Sequence, residues 1–374
     1  MERLPISLPF AIAVFLNCAE YNTDPLLLLN LAGGGSNPVR SIQSGVHSIA
    51  TTSDTIAITS VTSGLAFVYC SMSVGSSNES YMPTCRLNGT SQLVIESNSG
   101  SAQSVAWYVV EFSSGASVQS GSTSMTTGVT QLDVAVSTFD TSRSFPIVMS
   151  RMSGAVQTVD ERRTVTVQML DSSTLRFQRN ESDPALTTNI EWQLVYLPAC
   201  SVQSGQSTIP AASSSLVVPI SSVSTAQAFS IISSRAAAAS NGIEAEYVVR
   251  AALSSSSITL SRESTLNTVD VSWSVVECFD GTTVQHGSTT VSAAYGNSPL
   301  LTGSLSSAID QSRSIPIATN SIWDSTPDLT SAADQDSGFF RTNFQDSSTV
   351  QFLRGSNQTP KAGTINWQAI QFVN

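Results

Sequence analysis

The sequence predicts an all-β chain: four tandem antiparallel β-sandwich domains of about 80 residues, preceded by a short apolar N-terminal segment. Three observations predict it. Charged residues occupy 11% of the 374 positions and apolar ones 41%. Ser and Thr fill most other polar sites, so the chain favours pleated, half-buried surface over solvated helix faces. Apolar and polar residues alternate strictly in Thr164-Val165-Thr166-Val167-Gln168-Met169 and in Val269-Asp270-Val271-Ser272-Trp273-Ser274-Val275, the period of a strand with one face in a core. Finally, a set of landmarks recurs four times in the same order.

Residues 1–40 read as an anchoring or docking segment. Residues 4–16 (LPISLPFAIAVFL) are apolar but interrupted by Pro5 and Pro9, too short and too broken to span a membrane. Arg3 offset by Glu2 is a weak start for a signal peptide. Burial of this stretch, with residues 26–31 (LLLLNL), against the first domain or a neighbouring subunit is the competing expectation.

The four repeats are placed at 41–115, 116–198, 199–280 and 281–374. Each opens with an apolar residue before Gln43-Ser44-Gly45, Gln119-Ser120-Gly121, Gln203-Ser204-Gly205 or Gln285-His286-Gly287. A second landmark follows in Ala66-Phe67-Val68, Ser144-Phe145-Pro146-Ile147, Ala228-Phe229-Ser230-Ile231 and Ser314-Ile315-Pro316-Ile317. The third is a hairpin whose Asp-Ser-Ser or Ser-rich centre reads as a turn and whose second strand runs into Arg179, Arg262 and Arg354; copy 1 has Glu96 in that place. The last is a strand built on Trp107, Trp192, Trp273 or Trp367. From the first three tryptophans to the next Gln is 11 or 12 residues, so linkers are short. The indoles share the apolar face of their strands and are expected in the cores. Each copy has room for about six strands, enough for two facing sheets.

Composition also excludes function classes. The net charge is -11 and Lys361 is the single lysine, which leaves no basic stripe for nucleic acid. Five cysteines, at 18, 70, 85, 200 and 278, form no CxxC and predict no metal site. Cys70 and Cys85 either face one another across adjacent strands or serve, like the others, as small buried hydrophobes. The two histidines, His47 and His286, are read as exposed strand-end residues. No nucleotide, zinc-protease or serine-hydrolase motif occurs, so no catalytic residue and no cofactor is assigned.

The order Val-Gln-Ser-Gly, Phe-Pro-x-Val, aromatic hairpin and Trp strand resembles the H-type lectin domain. That resemblance implies a compact antiparallel sandwich that trimerises, with a sugar near the interface between protomers. The Trp-His pair that marks its sugar sites is missing from Asn180-Glu181-Ser182-Asp183, Glu263-Ser264-Thr265 and Gly355-Ser356-Asn357, so the resemblance supports the fold more than lectin activity. Tandem Ser/Thr-rich sandwiches of this kind also look like domains of bacteriophage virion proteins.

These resemblances give the expected function: a non-enzymatic virion protein, a tail-fibre or particle-surface component. It would attach to host glycans, assemble as a homo-oligomer with a trimer favoured, and contact other virion or surface proteins through its N-terminus. The alternatives are a secreted or cell-surface lectin and a glycan-depolymerising enzyme. Candidate binding residues are Trp323, Asp324 and Asp328, in an insertion that only copy 4 carries, and the recurring Arg179, Arg262 and Arg354, for which a structural cap is the competing role.

Overall fold

The computed structural model describes residues 36–49, 51–74, 83–98, 103–152, 164–179, 187–236, 247–292, 300–322, 339–354 and 362–374. Copy 1 comprises β1 (Val39–Ile49), β2 (Ser53–Ala57), β3 (Ala66–Val74), β4 (Thr84–Asn88), β5 (Gln92–Glu96) and β6 (Gln103–Phe112). Copy 2 comprises β7 (Ser117–Met125), β8 (Gln131–Ala135), β9 (Ser144–Met152), β10 (Thr166–Asp171), β11 (Thr174–Gln178) and β12 (Thr188–Tyr196). Copy 3 comprises β13 (Cys200–Ile209), β14 (Ser215–Pro219), β15 (Ala228–Ala236), β16 (Arg250–Leu253), β17 (Ser257–Ser261) and β18 (Val269–Cys278). Copy 4 comprises β19 (Thr283–Val291), β20 (Leu300–Ser304), β21 (Ser314–Ile322), β22 (Phe340–Asp346), β23 (Thr349–Arg354) and β24 (Gly363–Gln371). In every copy the first, sixth and third strands form one antiparallel sheet and the second, fifth and fourth form the other.

The landmarks have mechanical reasons. Each motif Gly lies directly opposite its Trp in the strand register. A Cβ at Gly45, Gly121, Gly205 or Gly287 would come within 2.8, 2.6, 2.8 or 2.0 Å of the indole, so the ring occupies the space a side chain would need. The motif Gln bonds, through both ends of its amide, a backbone unit in the loop after the second strand. Gln43 accepts from the Thr59 N–H and donates to its carbonyl, and Gln119, Gln203 and Gln285 do the same at Ser137, Ser221 and Ser307. The side chain thus supplies two ladder bonds where the strand has ended. At the hairpins, Asp171 and Asp346 accept from the N–H two residues on, at 2.7 and 2.8 Å, the Asx turn that the Asp-Ser-Ser signal predicts.

Each sandwich has its own core, and a fifth core is shared by all four copies. The tryptophans are not buried alike. Trp192 and Trp367 are 8% and 4% exposed, whereas Trp107 and Trp273 are half-buried.

The four copies close into a ring within one chain. β4 packs against β9 and β12, β10 against β15 and β18, β16 against β21 and β24, and β22 against β3 and β6. One head-to-tail contact is therefore repeated at four seams, the last joining copy 4 to copy 1. Backbone bonds follow the same cycle: Val118 donates to Gly64, Val202 to Ser142 and Val284 to Ala226, while Val39 donates to Val373 across the closing seam.

The ring protects its exposed strand edges, which would otherwise present unpaired N–H groups. The outer N–H of a fourth strand is taken up by a hydroxyl of the next copy's third strand: Thr342 donates to Ser71, Val167 to Ser233 and Ala251 to Thr319. The third strands are sealed in alternation. Gln193 clamps both backbone groups of Val68, and Gln368 those of Ser230. The equivalent positions in copies 2 and 4 are Pro146 and Pro316, which have no N–H to satisfy.

Candidate functional site

The third strands β3, β9, β15 and β21 line the ring axis, and their alternate residues stack in layers. Phe67, Phe145, Phe229 and Ile315 form the first layer, all at most 3% exposed. Tyr69, Ile147, Ile231 and Ile317 form the second. Together they plug the axis, with Phe145 and Phe229 edge to face. The linkers between copies gather at this end, where Ser113 donates to Pro38 and Phe279 to Ala199. Asn37 is 2% exposed and donates to Asp280 from its backbone and side chain, both at 3.1 Å. The chain therefore enters and leaves the ring at the plugged end.

Beyond the plug the axis widens into an open vestibule of about 320 Å³ to which all four copies contribute. Its polar groups include Tyr69, Ser71, Ser233, Tyr247, Thr319 and Asn320, and its apolar walls include Met72, Met149 and Phe340. Among the described residues no Asp, Glu, His, Lys or Arg lines it. Burial pushes the Tyr69 phenol up to about 12, against a small opposite pull from the Ala318 N–H, so it stays a neutral hydroxyl. Such a lining offers hydrogen bonds and apolar contact without charge or a proton-transfer pair, and it suits an uncharged ligand.

Charge is concentrated instead at the seam between copies 1 and 2. Glu96 is held by Arg151 and by Arg86 at 3.1 Å, and Arg151 also donates to Thr84 and Asn98 at 3.1 Å. Burial pushes the Glu96 carboxyl up, but the two arginines outweigh it and leave the group below its ordinary value. Burial raises the neighbouring Glu191 carboxyl.

Arg179, Arg262 and Arg354 all point into the protein and are at most 1% exposed. Arg179 donates to the carbonyls of Val129 and Thr126 and to Thr188 Oγ1, and Arg262 to the carbonyls of Ser213 and Pro210. These guanidiniums cap loop carbonyls inside their own copies. Their counterpart in copy 1 is Ser97, not Glu96: the N–H groups of Ser97, Arg179 and Arg262 make the same bond, to Thr52, Thr130 and Ser214. Trp323, Asp324 and Asp328 lie outside the described residues, as does Cys18.

The cysteine and histidine expectations need correction. Cys70 and Cys85 form a disulfide, but it joins the two sheets of copy 1 instead of adjacent strands, and Cys200 and Cys278 form a second one across a β13/β18 register pair. His47 sits within β1 and contacts Asp54 at 2.9 Å. His286 is exposed, as expected, but sits within β19 instead of at its end, and its Nε2 faces the copy 3 carbonyls of Thr225 and Ala228 at 2.9 and 3.0 Å. Among the described residues no His, Cys, Asp and Glu cluster is arranged to hold a metal, and no helix is long and apolar enough to cross a membrane. Comparison with known protein families, curated proteins and solved structures finds no match for this chain.

Proposed function

We propose that the chain is a non-enzymatic structural and binding protein of a virus-particle surface. Its N-terminal segment docks it on the particle and its ring presents a glycan-binding vestibule to a host surface. The observation that carries the reading is the polarity of the ring. Residue 36 enters at the plugged end, and the vestibule opens at the other end of the same strands. A docked N-terminus would leave the vestibule facing outward. The described lining, hydroxyl-bearing and aromatic, fits neutral sugar, which combines apolar C–H faces with hydroxyl groups.

The seams join the four copies within one chain, and association of chains into a homo-oligomer is assigned to residues 1–35. The test has two arms. Mass spectrometry of purified native particles should find the chain there, and a glycan array probed with the full chain should light up for neutral glycans. A chain confined to a cellular fraction, or an array silent for neutral glycans, would sink the proposal. The two disulfides suit an oxidising setting and keep the secreted lectin as a second reading. Its mark would be a cleaved N-terminus on protein recovered from culture medium without particles.

A further inference from the structure

The chain enters the ring through a short strap, residues 37–39, that bonds to every link between copies at the plugged end. Val39 donates to the Val373 carbonyl at the end of copy 4, at 2.9 Å. The Pro38 carbonyl accepts from the N–H and the hydroxyl of Ser113, where copy 1 runs into copy 2, at 2.8 and 3.0 Å. Asn37 reaches the other two links. Its Oδ1 accepts from the Ala199 N–H at 3.4 Å, between copies 2 and 3, and its Nδ2 donates to the Asp280 carboxylate at 3.1 Å, between copies 3 and 4. Nδ2 also donates to Cys200 Sγ at 3.5 Å.

One disulfide assembles the socket for Asn37. Cys200 opens β13, Cys278 closes β18, and the two form a register pair joined through their sulfurs. Ala199 precedes the first and Asp280 lies two residues beyond the second, so the bond ties together the two links that Asn37 reads. Among the described residues the backbone bond beyond it runs from the Phe279 N–H to the Ala199 carbonyl at 2.9 Å. A single hydrogen bond at the end of a ladder frays; a covalent link does not. Asn37, Cys200 and Cys278 are at most 2% exposed, so a close-packed site must shift to admit the two hydrogens of a reduced pair. Phe279, beside Cys278, is 57% exposed, which leaves the pair one residue beneath the surface.

We infer that Cys200–Cys278 is a redox latch for the root of the N-terminal segment. With the disulfide closed, Asn37 is seated and the root leaves the ring at one fixed point of the plugged face. With two thiols, Ala199 and Asp280 part, Asn37 leaves its socket, and the strap lets go of copy 3. The opening step needs a dithiol. One thiolate attacks a sulfur of the pair, the second thiol resolves the mixed disulfide, and two electrons and two protons pass to Cys200 and Cys278 as the dithiol becomes a cyclic disulfide. Oxidised glutathione reverses it, taking up the two electrons and two protons and leaving as two thiols. The latch needs no ligand on the ring, so it stands or falls separately from the proposed function.

Hydrogen exchange of the full chain tests the latch. A Cys70→Ser/Cys85→Ser background leaves this pair as the one disulfide among the described residues. There, roughly 10 mM dithiothreitol should raise exchange at the Ser113 and Ala199 amides at least about tenfold, and oxidised glutathione should restore it. The amides of Val118 and Leu305, which bond to Gly64 and Ser348 away from the strap, should keep their rates. Asn37→Ala empties the socket with the disulfide intact and should speed Ser113 and Ala199 alike in the oxidised protein. A pair that dithiothreitol leaves closed in the folded chain, or unchanged rates at Ser113 and Ala199 after reduction, would overturn the inference. So would an equal rise at Val118 and Leu305, which marks loosening of the whole ring, or an Asn37→Ala protein that exchanges like its parent.

Discussion

Replacing Gly121 by Ala tests the fit between each motif glycine and its tryptophan. The new Cβ would lie 2.6 Å from Cζ2 and 2.8 Å from Cε2 of Trp192. Carbon atoms rest at about 3.5–4.0 Å, so the indole must retreat by about 1 Å. Trp192 is 8% exposed and packs with Phe139, Phe177 and Leu194, and a close-packed interior yields little. Overpacking of this kind costs about 1–3 kcal/mol, and a rigid ring with no open side belongs at the upper end. Urea unfolding followed by tryptophan fluorescence should show that loss with the m-value unchanged. Ser120→Ala, at the exposed neighbouring position, should stay within about 0.5 kcal/mol of the parent. Trp192→Phe frees space, so the double variant should be more stable than the sum of the single losses predicts, by more than about 0.5 kcal/mol. A Gly121→Ala protein as stable as the parent, or a strictly additive cycle, would refute the reasoning.

Three further outcomes follow from described contacts. Arg262→Met should cost about 3 kcal/mol in urea unfolding, because it removes two hydrogen bonds from a charged donor, to the carbonyls of Ser213 and Pro210; an unchanged midpoint would mean that the guanidinium is dispensable. Replacing Cys200 and Cys278 by Ser should cost about 4 kcal/mol and replacing Cys70 and Cys85 about 3, since the closed loops differ in length at 78 and 15 residues; thermal melts should rank the two in that order. Glu96 has a folded pKa below its ordinary 4.5, so its stabilising contribution is complete above that value and lost as pH falls through the folded one. Glu96→Gln should cost about 2 kcal/mol near neutral pH, the scale of a charged hydrogen bond, and the penalty should fade in acid; a penalty independent of pH would exclude the ion pairs as its source.

The repeat and the strands were legible because both are local: period two marks the faces, and Gly and Trp mark the centre of each sheet. Some further features were legible by the same rules. Arg179 stands two residues after Phe177, as Arg262 does after Leu260 and Arg354 after Phe352, which puts each guanidinium on the core face. The same parity selects Ser97, two after Ile95, as the copy 1 counterpart. Cys200 lies five residues before Gly205 and Cys278 five after Trp273, so the Gly–Trp register already places them opposite each other. Closure of the ring was not legible. It depends on the angle at which a fourth strand crosses the next sheet, and no single residue encodes that angle. The alternation of Gln193 and Gln368 with Pro146 and Pro316 acquires its meaning only once the seams are known.

The covalent continuity of the ring has an evolutionary consequence. In a ring of four identical subunits, any substitution at a seam appears four times, and a change that opens one contact opens all of them. Here each seam is encoded separately. At the position after each tryptophan, Ser can stand at 274 while Tyr108, Gln193 and Gln368 keep the other three joints shut, so one seam is free to diverge without dismantling the whole. Because the joints form within a single molecule, dilution does not separate them, and each closed ring carries a single N-terminal extension.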